Sequence, residues 1–82
     1  MTREEIIEKL KELMKFAMPA KADVVDASSE DSNLMTDIGL NSVGLLYIAI
    51  AVEEFFNVSF DDVTFNDFQT VKDVVDFIQK NS

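Results

Sequence analysis

No charged residue falls between Asp37 and Glu53. That run, IGLNSVGLLYIAIAV, constrains the chain more than any other feature. It reads as a helix that is apolar almost all the way round, opened by Asn41, a good N-cap residue. Placing its residues at 100° intervals separates two stripes. Leu45, Ile48, Ala49, Val52 and Phe56 share one side, uninterrupted by charge, and are expected in the core. Val43, Leu46, Tyr47 and Ile50 lie roughly opposite and lead into Glu53, Glu54 and Asn57. A stripe that ends in carboxylates is expected to meet water or a partner.

The flanking segments read as further helices. Thr2 and Glu5 have the spacing of a capping box. Ile6, Leu10, Leu13, Met14 and Ala17 then recur at helical intervals. Glu5 and Lys9 are placed to pair at i,i+4, and Pro19 ends the helix because the residue before a proline avoids helical geometry. Residues 18 to 40 form a long connection, with Val24, Val25, Leu34 and Ile38 expected to pin it to the core and room for a short helical turn. NVSFDDVTFNDFQ suggests a turn and a short helix near Asp62 to Phe68. The VSF segment has no second strand to pair with. A last helix is expected from Thr70, with Asp73 completing a second capping pattern and Val71, Val74, Val75 and Ile78 as its inner stripe. The expected fold is all-α. It is a four-helix bundle of three longer helices and one short third helix, with a long loop between helices one and two, in a single domain over residues 1–82.

Composition narrows the function. The chain has no cysteine and no histidine, which removes disulfides, thiolate metal sites and the commonest general base. Ser42 is the obvious nucleophile, but a serine hydroxyl needs an adjacent base and the sequence supplies none that can be argued, so no catalytic residue is assigned. SEDSNLMTD is rich in oxygen ligands but lacks the glycine and closing glutamate of a calcium loop, so no metal site is assigned. All seven basic residues lie outside residues 22–71, a stretch that holds ten carboxylates. Such a field repels nucleic acid and anionic membranes and attracts basic protein surfaces. The opening MTREEIIEKL lacks a basic leader followed by an apolar stretch, and the longest apolar run, Leu45 to Val52, falls well short of the roughly 20 residues of a bilayer span. A monomeric cytoplasmic protein is expected.

Ser42 remains. A serine near a helix start is commonly a cap or simply tolerated. Here it follows Gly-Leu-Asn, ends a long loop and opens a helix with an apolar outer face. A helix N-terminus offers free N–H groups and positive dipole charge, so a phosphodiester on Ser42 is electrostatically favoured there.

The segment DIGLNSVGLLYIAIAVEEFF resembles the acyl carrier and peptidyl carrier proteins, whose D-x-G-x-D/H-S-L/I motif opens their second helix. The likeness extends over most of the chain. VEEFFNVSF resembles the end of the family's helix two, and FNDFQTVKDVVDFI resembles its third and fourth helices. The resemblance implies that Ser42 bears 4′-phosphopantetheine, installed from coenzyme A by a phosphopantetheinyl transferase. It implies a thioester-linked acyl or aminoacyl cargo, passed between acyl-transferring or condensing enzymes of fatty-acid, polyketide or related biosynthesis. It makes the chain a carrier and not an enzyme. The docking face is then Asn41, Val43, Leu46, Tyr47, Ile50, Glu53 and Glu54, met by basic partner surfaces. Three positions depart from the pattern. Asn41 stands where the family usually has aspartate, Val43 replaces the usual leucine, and Tyr47 stands where fatty-acid carriers usually have glutamate. These departures point to a specialised carrier. The alternative is a helical adaptor of the same shape that binds a partner without any prosthetic group.

Overall fold

A computed structural model describes residues 2–60 and 68–81. Helix α1 spans Arg3–Ala17 and begins with the expected capping box: Thr2 Oγ1 accepts from Glu5 N at 3.2 Å, and Glu5 Oε1 accepts from Thr2 N at 3.0 Å. That commitment takes Glu5 away from the expected pairing with Lys9. Lys9 instead bonds Glu12 at 3.0 Å and lies over the Phe55 ring, 4.7 Å from its centroid. The bonds that Glu5 receives, first from the Thr2 backbone N–H, hold its carboxyl below the usual carboxylate range.

Pro19 ends α1 as expected and opens a 3-10 turn, Pro19–Lys21, that runs straight into α2, Ala22–Ala27. The first part of the connection is therefore helical. This explains one misplaced residue. Val25 is buried but Val24 is exposed, because neighbouring helical side chains point about 100° apart and cannot both face inward.

Residues 28–41 are irregular but firmly tied. Asn33 Oδ1 accepts from Met35 N at 2.9 Å and Thr36 N at 3.0 Å, and Asp37 Oδ2 accepts from Asn33 N at 2.7 Å. The backbone then reaches across the molecule. Leu34 N donates to Gln69 O at 2.8 Å, Val71 N to Ser32 O at 3.1 Å and Lys72 N to Glu30 O at 2.8 Å. Asn33 and Thr70 form an isolated antiparallel bridge, and no strand occurs among the described residues. Buried Leu34, Ile38 and Leu40 anchor the segment from below.

Helix α3 is Ser42–Phe56. It closes on Asn57, which adopts the left-handed conformation (φ 57°) that asparagine tolerates better than most residues. Helix α4 is Val71–Asn81. Its capping pattern forms as expected: Asp73 Oδ2 accepts from Thr70 N at 3.0 Å and Gln69 N at 2.9 Å, and Thr70 Oγ1 accepts from Asp73 N at 3.3 Å. The short helix expected near Asp62 to Phe68 falls, apart from Phe68, outside the described residues.

Helix α1 packs against α2, α3 and α4. The core takes Ile6, Leu10 and Met14 from α1. From α3 it takes Leu45, Ile48, Ala49, Val52 and Phe56, and from α4 Val71, Val74, Val75 and Ile78. Every residue of the expected inner stripes of α3 and α4 is buried. Phe60, Phe68 and Phe77 cluster against this core with ring centroids 4.6–5.8 Å apart. At one end Arg3 joins three segments. Its Nε donates to Glu30 Oε1 at 2.8 Å, and its Nη1 reaches Asp76 Oδ1 and Gln79 Oε1, each at 2.8 Å. No side-chain nitrogen or oxygen among the described residues is buried without a partner.

Candidate functional site

The site is built from the segment that delivers the chain into α3. Gly39 has φ +91°, a conformation that side-chain-bearing residues rarely adopt. It lets the chain turn between Ile38 and Leu40, both buried. Leu40 N donates to Leu34 O at 2.9 Å, which fixes the approach. The Leu40 side chain then lies beneath the first turn of α3: a Cβ added at Gly44 would sit 3.1 Å from Leu40 Cδ2. Gly44 thus allows the loop and the helix to meet closely.

Asn41 caps α3 twice. Its Oδ1 accepts from Gly44 N at 2.7 Å, and its main-chain oxygen accepts from Leu45 N at 2.8 Å. The first N–H groups of a helix have no intrahelical partner, so the opening turn presents donors and the positive end of the helix dipole together. No acidic side chain lies in that turn. Ser42, its first residue, is exposed. An exposed hydroxyl in a turn without acidic side chains, next to first-turn N–H groups, suits a covalently attached phosphodiester.

The remaining expected contact residues can now be placed. Val43, Leu46, Tyr47 and Ile50 are all exposed, and Val43 is 76% so. They lie on the face of α3 opposite the core stripe. Glu54 is exposed, whereas Glu53 is half-buried and its Oε2 accepts from Phe60 N at 2.8 Å. Glu53 therefore holds the chain that leaves α3 as well as adding charge. Asn41 lies at the helix mouth with its side-chain oxygen already engaged. Among the described residues no group of His, Cys, Asp and Glu is gathered to hold a metal ion. No described helix is long and apolar enough to cross a membrane.

Three features escaped sequence reasoning. Phe16, on α1, is 77% exposed, and Phe55, on α3, is half-exposed beneath Lys9. Lys21 lies across the bare face of Gly39. The first could have been found by following the outer face of α1, where Phe16 falls two turns beyond Lys9.

Residues 4–78 match the family described as the phosphopantetheine attachment site. The acyl carrier protein of Coprothermobacter proteolyticus is 35% identical over 81 residues, covering 99% of this chain and 95% of its own length. The acyl carrier protein of Phytoplasma australiense is 36% identical over 80 residues, covering 93% of this chain and 96% of its own. That of onion yellows phytoplasma is 31% identical over 77 residues, covering 94% and 97%. The fold and the match together define a small helical domain that carries phosphopantetheine as its prosthetic group. The chain belongs to the acyl carrier protein family.

Proposed function

We propose that Ser42 is the residue that bears the phosphopantetheine, through a phosphodiester on its Oγ, and that the chain shuttles an acyl or aminoacyl group between enzymes without itself catalysing a reaction. The observation that carries this reading is the exposed Ser42 hydroxyl at the capped, carboxylate-free start of α3. Bound there, the prosthetic group supplies the thiol that a cysteine-free chain lacks, and cargo rides on it as a thioester. The protein's own residues hold the attachment end. Asn41 fixes the first turn, the N–H groups left free there would offer donors to the phosphodiester, and Leu40 and Gly44 keep the turn against the loop.

Partners fall into two classes on this reading. A phosphopantetheinyl transferase modifies Ser42, and acyl-transferring or condensing enzymes of fatty-acid, polyketide or related biosynthesis then load and unload the cargo. Each docks on Asn41, Val43, Leu46, Tyr47, Ile50, Glu53 and Glu54. The apolar stripe supplies contact, and the carboxylates guide basic partner surfaces. Neither nucleic acid nor a membrane surface suits this charge. The protein acts as a cytoplasmic monomer.

Coexpression with a broad-specificity transferase tests the reading. Intact-mass spectrometry should show one added phosphopantetheine, absent from Ser42→Ala. An unchanged mass with several transferases would favour the second reading, an adaptor that uses the same exposed stripe without an arm. Asn41, in place of the family's usual aspartate, is the observation that favours that alternative.

A further inference from the structure

Two contacts establish how α1 and α3 run. Lys9, in the middle of α1, lies over Phe55 near the end of α3. Lys21, just past the end of α1, lies against Gly39, just before the start of α3. The helices are therefore antiparallel, and the C-terminal end of α1 is at the Ser42 end of the molecule.

Phe16 follows Lys9 by seven residues, two turns along the same flank of α1 and about 10 Å nearer that end. Two turns back from Phe55 on α3 is Ile48, which is buried; its neighbour Tyr47 is exposed. Phe16 thus stands level with Tyr47 on the flank of α1 that faces α3. A single exposed phenylalanine needs no explanation. This one stands in line with Tyr47 and Val43 on the approach to Ser42.

On this geometry we infer that Phe16 belongs to the enzyme-docking surface, which spans two helices, with Phe16, Tyr47 and Val43 forming an apolar wall beside the modified serine. The inference rests on the carrier reading above and extends it to α1. The occupant is an enzyme surface with an apolar centre and Lys or Arg at its rim. Exposed Glu54 lies at the rim on α3, and on α1 Lys9 is already engaged by Glu12 and Phe55 and Lys15 by Asp26. A second copy of this chain fits poorly, because each copy has a net charge of −9 and would bring carboxylates to the same rim. An enzyme acting at Ser42 approaches the same end of the molecule as Phe16.

The test uses a broad-specificity phosphopantetheinyl transferase with three apo chains: wild type, Phe16→Ala and Val24→Ala. Val24 is an exposed apolar control on α2, which packs on the other flank of α1, where Lys15 bonds Asp26. Phe16→Ala should lower kcat/KM about tenfold, chiefly through KM, as expected for an aromatic anchor in a small interface, with its urea midpoint unchanged. Val24→Ala should match wild type. In a second measurement, titrating 15N-labelled Ser42→Ala with the transferase should shift the amides of residues 13–17 together with those of 43–50. If wild type is modified but Phe16→Ala is modified equally well and the α1 amides stay still, the carrier reading stands and this inference falls. If wild type is not modified at all, the carrier reading itself has failed. A concentration-dependent dimer in sedimentation that Phe16→Ala dissolves would overturn the inference in favour of a second copy.

Discussion

The ammonium of Lys21 occupies the space that a side chain at Gly39 would need: a Cβ built there would come within 2.2 Å of Lys21 Nζ. The obstructing atom is the far end of a flexible side chain and can move aside. The backbone cannot, because φ at Gly39 is +91°. Gly39→Ala should therefore cost about 1–3 kcal/mol through backbone strain, and combining it with Lys21→Ala should recover less than about 0.5 kcal/mol. Urea unfolding of the two single variants and the double variant measures both quantities. Full recovery in the double variant would locate the cost in the contact and not in the backbone.

The two stripes of α3 should separate stability from recognition. Val52 is fully buried, whereas Ile50 is 49% exposed. Val52→Ala should lower stability by about 1–3 kcal/mol, by analogy with other large-to-small core changes. Ile50→Ala removes more carbon yet should change stability by less than about 0.5 kcal/mol, as surface substitutions usually do. Ile50→Ala should instead slow modification by the transferase. Equal losses of stability in the two variants would mean that the outer stripe is part of the core.

Asp73 should make stability depend on acid. Burial alone would raise its pKa. The bonds from Thr70 N, Gln69 N and the Thr70 hydroxyl, with the nearby Lys72 charge, outweigh burial and hold the carboxyl below the usual carboxylate range. A carboxyl whose folded pKa is depressed contributes fully above its unfolded pKa of about 3.9, and the contribution is lost as pH falls through the folded value. Asp73→Asn should thus cost about 1 kcal/mol at pH 7, the scale of a helix-cap change. The gap between variant and wild type should shrink as pH falls towards 2. Urea midpoints at pH 7 and in acid decide the matter, and a gap of constant size would mean that the charge on Asp73 contributes nothing.

The parts of this molecule legible in its sequence are those where side-chain pattern alone sets the structure. The inner stripes of α3 and α4 follow from the 3.6-residue period, and both capping patterns follow from short-range spacing. The Glu5–Lys9 pairing was not legible, because a carboxylate that reaches back to its own helix cap cannot also reach forward. Val24 and Val25 became distinguishable only once residues 22–27 were seen to be helical. The path of residues 30–34 rests on backbone bonds to residues 69–72, and main-chain groups leave no signature in sequence. At the site, the exposed stripe from Val43 to Ile50 and the position of Ser42 could be read from the helix alone. The outer position of Phe16 could be followed along α1, but its place beside them could not, since that depends on how α1 and α3 run past each other.

The main-chain bonds that join Leu34, Ser32 and Glu30 with Gln69, Val71 and Lys72 also carry a consequence for synthesis. The loop that leads to Ser42 is held by main-chain groups that leave the ribosome much later than the loop does. Until those residues emerge, the loop has no partner for these bonds, and contacts between distant parts of a chain form late because their closure entropy must be met first. A nascent chain released short of Gln69 would contain the serine and its helix but lack the scaffold that fixes the approach to them. The order of synthesis thus favours completion of the domain before its serine is properly displayed.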